Sequence, residues 1–212
     1  MKIFVIHYKK LVNRKTHMID QFQKYNITDY EFVEIDRDEL TPQNRSKFPE
    51  NYSNSQIAIC LSHFYAYQQI SAHEDEGLIF EDDVILSADF IDKLNLYRNQ
   101  LPNDYDMLFL GDGCQLHIQK HRLIPGNYIY EKCLYPTEWG GDGAGRCTDS
   151  YLVSKKCATT LMDYVDKLTQ KINLPIDWWL NIAARDNQFQ VYWAEPTIVT
   201  QGTQNGCFES SH

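Results

Sequence analysis

The chain has 212 residues, 43% of them hydrophobic, which is enough to bury a core without disulfide bridges or a structural metal. Its 20 Lys and Arg residues against 29 Asp and Glu residues give a net charge of −9, which disfavours binding to nucleic acid or to anionic membranes. With 23% charged and 13% aromatic residues the composition argues against a disordered chain, and no stretch reaches the roughly 20 apolar residues of a membrane-spanning helix.

Short apolar runs alternate with segments of helical periodicity along the chain. In chain order, strands are predicted at 3–6, 30–35, 77–80, 107–110, 151–153 and 190–193. Helices are predicted at 14–24, from position 54 with Asn54 or Ser55 as the N-cap, and at 89–99, 155–168 and 176–185. Loops are expected at 37–53 and 113–147, followed by a polar tail from Glu195. This alternation predicts an α/β protein of one domain, 1–212, whose mostly parallel sheet carries helices on both faces.

Polar side chains follow three of the predicted strands at the point where each strand ends. His7 and Tyr8 follow the first strand, Asp36 follows the second, and the triplet 81–83 follows the third. Ligands of such sheets bind beyond the carboxyl ends of the strands. We therefore expect a binding site where these groups meet.

The carboxylate triplet Glu81-Asp82-Asp83 carries the strongest chemical signal. In extended geometry Glu81 and Asp83 point to one side and Asp82 to the other. Two carboxylates that point together repel each other, so one takes up a proton or a cation lies between them. Mg²⁺ or Mn²⁺ suits such oxygen ligands and would bridge to a diphosphate. The alternative is an acidic loop that caps the helix beginning near Asp89.

Six short motifs, in order along nearly the whole chain, resemble those of glycosyltransferase family 25. That family includes lipopolysaccharide glycosyltransferases and collagen galactosyltransferases. The motifs are FVIHY at 4–8 with Arg14, ICLSH at 59–63, LIFEDD at 78–83, SYLVS at 150–154 with Ala158, LPID at 174–177, and EP at 195–196 with Gln201.

The resemblance implies a GT-A-type fold and transfer of a hexose, galactose or glucose, from a UDP-sugar with Mn²⁺ or Mg²⁺ as cofactor. The donor contacts that it implies are Ile6, His7, Tyr8, Arg14, Asp36, Asp82 and Gln201. The implied metal ligands are Asp83 and then Glu81, and a further ligand near the C-terminus would be Gln201 or His212. A guanidinium suits phosphate because it donates two parallel hydrogen bonds. The alternatives are a solvated helix-face charge for Arg14 and a turn residue for Asp36.

The resemblance also implies an inverting transfer, which needs one base to deprotonate the acceptor hydroxyl while the nucleoside diphosphate leaves. Asp177 is the candidate base, since the bulky rings of Trp178 and Trp179 beside it would raise its pKa. The alternative is a first-turn acid that interacts with the helix dipole. Asp112 and Asp142 are reserve candidates. Retention of configuration stays open, because the family includes relatives in collagen modification that resemble retaining enzymes.

Other features of the sequence carry weaker predictions. The glycine-rich segment 139–145 could form a flap, and Trp139 could stack on a sugar ring. His63 is expected to be a structural histidine of a buried helix. Asp149 departs from the family motif, which has a small or apolar residue there. The six cysteines are widely spread without a C-x-x-C pair, and without a signal peptide they are expected to be reduced thiols of a cytoplasmic protein.

The expected partners are a nucleotide-sugar donor, a glycan or glycoprotein acceptor such as lipopolysaccharide or a collagen-like hydroxylysine, and a second copy of the chain. Nucleic acid and an integral membrane segment are not expected. Two other classes stay open at this point. One is a sugar-nucleotide or glycan-binding protein without catalysis on the same fold, which the intact triplet and Arg14 disfavour. The other is a metal-dependent nuclease or nucleotidyltransferase, which the acidic charge disfavours.

Overall fold

The computed structural model describes residues 1–132 and 145–210. Seven of its strands form one large sheet: β1 (Lys2–Ile6), β2 (Tyr30–Val33), β3 (Glu76–Glu81), β5 (Met107–Phe109), β6 (Ile129–Glu131), β7 (Ser150–Ser154) and β8 (Val191–Ala194). Their order across the sheet is β2-β1-β3-β7-β5-β8-β6. Two short strands, β4 (Val84–Leu86) and β9 (Val199–Gln201), pair antiparallel beside it.

Five of the seven strands run in one direction. β1 pairs parallel with both β2 and β3, and β5 pairs parallel with β8. β7 is antiparallel to its neighbours β3 and β5, and β6 is antiparallel to β8. The sheet is therefore mixed and mostly parallel, as predicted.

Helices cover both faces of the sheet, since its central strands are apolar on both sides. The helices are α1 (Val12–Lys24), α2 (Pro42–Ser46), α3 (Asn54–His73), α4 (Phe90–Arg98), α5 (Lys155–Lys167) and α6 (Ile176–Asp186). Residues of α3, α5 and α6 share one core layer with Phe4 and Ile79 of the sheet. Residues of α1 and α4 share the opposite layer with Val5 and Phe80. This arrangement confirms the predicted α/β class.

Four local predictions were wrong. The loop predicted at 37–53 contains α2, which begins at a capping box of Thr41 and Asn44. The N-cap of α3 is Ser53, whose side chain accepts from the amide of Gln56, and not Asn54 or Ser55. The predicted loop at 113–147 contains the edge strand β6. The polar tail contains β9, because Val199 is buried and pairs with β4.

His63 is a core residue, as expected. Its Nδ1 lies 2.7 Å from the hydroxyl of Tyr151, and that hydroxyl is also 2.6 Å from the hydroxyl of Tyr67. All three side chains are fully buried. Burial lowers the pKa of His63 to about 3, so this imidazole is neutral and structural.

Several expectations concern residues outside the described ranges: Trp139, Asp142, His212 and most of the segment 139–145. Among the described residues, no helix combines the length and the apolar character needed to cross a bilayer. The described structure is that of one chain and gives no support for the expected homodimer.

Candidate active site

The polar strand ends converge because β1 and β3 are adjacent and parallel. Ile6 at the end of β1 lies opposite Glu81 at the end of β3. β7 runs the other way, so its first residue, Ser150, lies opposite Phe80 at the same edge. The chain entering β7 therefore reaches the edge where His7 follows β1. This convergence of segments distant in sequence forms the candidate site.

Asp82 turns toward β1 and α1 and is the acceptor of two hydrogen bonds. Its Oδ1 accepts from Nη1 of Arg14 at 2.8 Å. Its Oδ2 lies 2.7 Å from Nδ1 of His7, which donates because an ionised carboxylate only accepts. All three side chains are buried, so these residues form an internal ion-paired cluster at the strand ends.

Arg14 has further contacts with the last described residues. Its Nη2 donates to the backbone carbonyl of Glu209 at 2.6 Å. Its guanidinium carbon lies 5.4 Å from the ring centroid of Phe208. Arg14 is 6% exposed, which rules out a solvated helix-face charge. Nη1 of Arg14 is thus held by Asp82, and Nη2 contacts the Glu209 carbonyl.

Glu81 faces the chain that enters β7. Its Oε1 accepts from the hydroxyl of Thr148 at 2.9 Å, and its Oε2 lies 3.5 Å from Nε2 of Gln201. Burial, together with the negative charges of Asp83 and Asp149, raises the pKa of Glu81 to about 8. Without a counter-ion, this carboxyl group therefore holds its proton at neutral pH.

Asp83 is the second residue of the turn at 82–83 and immediately precedes β4. Its Oδ2 accepts from both the hydroxyl and the amide of Thr203, at 2.6 and 3.2 Å. Its Oδ1 is buried and has no hydrogen-bond partner. A buried carboxylate oxygen without a partner is costly, which makes it a ready position for a cation.

The triplet thus separates as predicted, with Asp82 on one side and Glu81 and Asp83 on the other, but through a turn at 82–83 rather than continued extension. Within residues 1–132 and 145–210, no group of three His, Cys, Asp or Glu side chains is placed to hold a metal ion. Mg²⁺ and Mn²⁺ sites that use one or two carboxylates complete their coordination with water and substrate phosphates. Glu81 and Asp83 fit that type of site.

Asp149 adds a third acidic group close to this pair. It is fully buried, its Oδ2 accepts from the hydroxyl of Ser150, and its Oδ1 has no partner. Burial raises the pKa of Asp149 to about 7. A Cβ at Gly111 would lie 2.0 Å from Oδ2 of Asp149, so the close packing of the two segments requires glycine at this position.

Two cavities meet at this edge. The small cavity, of about 110 Å³, is lined by six of the predicted donor contacts: Ile6, His7, Tyr8, Arg14, Asp82 and Gln201. Both predicted metal ligands, Glu81 and Asp83, line it as well. The structure therefore brings eight of the ten predicted site residues to one place.

Asp36 does not line either cavity. Its carboxylate is 2.5 Å from Nζ of Lys9 and also accepts from the amide of Asp38 at 2.8 Å. The alternative interpretation, a turn residue, describes these contacts better than a contact with the base or ribose.

Asp177 lines the large cavity, of about 490 Å³, together with Glu81, Thr148 and Gln201. It lies in the first turn of α6, and burial raises its pKa. The predicted cause of that shift was partly wrong, because Trp178 is 55% exposed while Trp179 packs edge-on against Phe64. The reserve candidate Asp112 lines neither cavity.

Three further residues join the site without having been singled out from the sequence: Arg37, Thr148 and Thr203. Arg37 lines both cavities, and its guanidinium carbon lies 3.8 Å from the centroid of the Tyr8 ring. No motif marks these residues, because they reach the site from a loop and from turns. The one sequence feature that pointed to this part of the site was the neighbouring Asp149, which departs from the family motif.

Comparison with known proteins identifies the family. A model described as "Glycosyltransferase family 25 (LPS biosynthesis protein)" matches residues 1–180. The chain belongs to glycosyltransferase family 25. This family 25 chain is also 30% identical over 120 residues to R655 of Acanthamoeba polyphaga mimivirus, whose name gives it as a candidate glycosyltransferase. That alignment covers 52% of this chain and 37% of R655, so the chain spans only about a third of the viral relative.

Several solved glycosyltransferase structures are similar in architecture to this family 25 chain. The catalytic domain of Drosophila β1,4-galactosyltransferase 7, in complex with xylobiose, is 14% identical with a TM-score of 0.46 and covers 92% of this chain and 65% of that chain. Galactosyltransferase LgtC, in complex with donor and acceptor sugar analogues, is 11% identical with a TM-score of 0.48, and the match covers 95% of this chain and 86% of that chain. GlyE of Streptococcus pneumoniae TIGR4 is 10% identical with a TM-score of 0.47, and the match covers 90% of this chain and 44% of that chain.

Proposed function

We propose that this family 25 glycosyltransferase moves a hexose, galactose or glucose, from a UDP-sugar to a sugar or hydroxylysine acceptor, with Mn²⁺ or Mg²⁺ as cofactor. The observation that carries the proposal is Oδ1 of Asp83, a buried carboxylate oxygen without a partner beside the crowded carboxyl of Glu81. Both groups line the small cavity, where the predicted donor contacts lie. When bound, the cation would stabilise negative charge on the departing diphosphate.

Other residues of the chain would bind the donor or hold its contacts in position. Ile6 and Tyr8 would line the nucleotide site, and Asp82 would keep Arg14 and His7 in place. Gln201 would contribute its amide at the boundary of the two cavities. Arg37 at the same boundary is a second cation that could meet the diphosphate, since a guanidinium binds phosphate oxygens in pairs.

Asp177 is the proposed base. As the acceptor oxygen forms its bond to the anomeric carbon, the bond from that carbon to the diphosphate breaks, and the carboxylate of Asp177 accepts the hydroxyl proton. The large cavity, which Asp177 lines with Thr148, is the proposed acceptor site. Burial raises the pKa of Asp177 and so strengthens it as a base near neutral pH.

The acceptor class is proposed from the family: lipopolysaccharide, another glycan, or a collagen-like hydroxylysine. A cavity of about 490 Å³ can hold one or two sugar units of such an acceptor.

A donor screen tests the proposal. We expect UDP-galactose or UDP-glucose with Mn²⁺ to raise the melting temperature, and the best donor to yield UDP when an acceptor is added. EDTA should remove both effects. Full transfer in EDTA would contradict the metal assignment. Donor binding without any hydrolysis or transfer would instead indicate a binding protein on this fold.

A further inference from the structure

Two cysteines that are distant in sequence lie in contact beside the large cavity. The Sγ atoms of Cys114 and Cys147 are 3.4 Å apart, although 33 positions separate the two residues. Cys114 is exposed to solvent, whereas Cys147 is partly buried. Cys147 lines the large cavity together with Asp177 and Thr148. Sequence spacing alone gave no indication of this pair.

The backbone around the two cysteines is closely packed. A Cβ at Gly113 would lie 2.4 Å from the carbonyl oxygen of Arg146 and 2.9 Å from Cβ of Cys147. The guanidinium of Arg146 is buried and donates to the carbonyl of Ala194 and to Glu195, each at 2.7 Å. The segments that carry the two thiols therefore pack closely against each other, which brings the two thiols into contact.

We infer that Cys114 and Cys147 are a redox-active pair that forms a reversible disulfide in the wall of the cleft by exchange with a small-molecule disulfide of the glutathione type. The thiolate of Cys114 attacks one sulfur of the oxidant, and a thiolate leaves. The thiolate of Cys147 then attacks Sγ of Cys114 and releases the second thiolate. The two protons from the cysteines pass to these leaving thiolates, so the protein loses two hydrogen atoms and the oxidant becomes two thiols.

The order of attack follows from exposure. Cys114 is open to solvent, so a small disulfide can reach it first. Burial and the neighbouring thiol raise the pKa of Cys147, which disfavours its thiolate before the mixed disulfide has formed.

Disulfide formation would change the cleft. A sulfur–sulfur bond is about 2.05 Å long, so the two Sγ atoms must approach by more than 1 Å. The next residue, Thr148, donates to Glu81, and Asp177 lines the same cavity. A displacement of about 1 Å near reacting groups can cost on the order of a hundredfold in rate. We therefore expect oxidation to lower sugar transfer, a consequence that rests on the proposed function, whereas the disulfide itself does not.

Peptide mapping tests the disulfide directly. The full chain is used with Cys133→Ser and Cys207→Ser, which removes a cysteine outside the described residues and an exposed one. After incubation with oxidised glutathione and alkylation of free thiols, trypsin should release peptide 147–155 linked to peptide 99–120. The linked species should disappear on reduction and be absent when Cys114→Ser is added. If both cysteines remain alkylated thiols or carry only glutathione, the proposal is wrong.

Activity assays test the consequence for the cleft. The oxidised protein should lose transfer activity and regain it with dithiothreitol, while the protein with Cys114→Ser should keep its activity in both conditions. A disulfide that forms without any change in transfer would contradict a role at the cleft. A reduced protein that binds the donor but never transfers a sugar would count against the proposed function, and peptide mapping would still decide the disulfide.

Discussion

Arg14 and Asp82 are 68 positions apart and form a buried ion pair of 2.8 Å at the ends of β1 and β3. Both side chains are 7% exposed. Since burying a charge without its partner is costly, each residue depends on the other. Arg14 therefore has a structural role beside any contact with the donor.

We predict that Arg14→Ala lowers the free energy of unfolding by about 3 kcal/mol, because it leaves the Asp82 carboxylate buried with only His7 as a partner. Adding Asp82→Asn should restore part of that loss, since the uncompensated charge disappears. Urea unfolding of the two single variants and the double variant measures the coupling. An Arg14→Ala protein as stable as the wild type would show that the ion pair does not stabilise the fold.

The raised pKa of Glu81 makes the stability of the metal-free protein depend on pH. At a pH between 4.5, the ordinary pKa of this carboxyl group, and about 8, Glu81 of the folded protein holds a proton that the unfolded chain has released. The free energy of unfolding should therefore fall as the pH rises through this window. Asp149, whose pKa is raised to about 7, acts in the same direction up to that pH.

We expect Glu81→Gln to reduce that pH dependence and to stabilise the metal-free protein above about pH 8, because the penalty for ionisation is gone. Urea unfolding in EDTA across this range measures the effect. Glu50→Gln, at an exposed glutamate, is the matched control and should leave the slope unchanged. An unchanged slope in Glu81→Gln would contradict the assigned protonation.

A substitution at Gly111 tests how closely this position packs against the Asp149 side chain. We predict that Gly111→Ala destabilises the protein by about 1–3 kcal/mol, because its Cβ would overlap Oδ2 of Asp149 and approach the Ser150 hydroxyl at 2.7 Å. Gly145→Ala is the control, since the nearest atom to its Cβ would be 4.0 Å away. Thermal unfolding compares the two variants, and equal melting temperatures would show that the Asp149 segment adapts freely.

Asp177→Asn should keep donor binding and lose transfer by on the order of a hundredfold or more, since the amide cannot accept the acceptor proton. The fold should tolerate the change, because losing a charge in the first turn of a helix costs about 0.3–1 kcal/mol. Donor affinity by calorimetry and transfer by UDP release separate the two effects. Transfer at the normal rate would remove Asp177 as the base.

The fold and much of the site were predictable because they follow from local patterns. Apolar runs such as 3–6 and 78–80 marked central strands, and the acidic triplet marked the strand edge where the cavities meet. The missing parts depend on tertiary pairing. β9 is short and forms as a strand through its pairing with β4, which is distant in sequence. Thr203 and Arg37 reach the site from a turn and a loop whose paths the sequence does not encode locally.

Asp36 and Arg14 illustrate the limits of transferring roles from motifs. The family resemblance implied a donor contact for both, yet Asp36 pairs with Lys9 and does not line the cavities, while Arg14 is partly engaged by Asp82. A motif locates a residue at a strand end, but the partners of its side chain depend on neighbours distant in sequence.

The central claim is that Asp83 and Glu81 hold a divalent cation together with the diphosphate of the donor. Calorimetric titration of Mn²⁺ in the presence of UDP tests it most directly, on the wild type, on Asp83→Asn and on Asp163→Asn, a control at an exposed aspartate. We predict binding to the wild type and the control, and loss of binding in Asp83→Asn, whose amide can still accept from Thr203. Equal Mn²⁺ affinity in all three proteins would contradict the account.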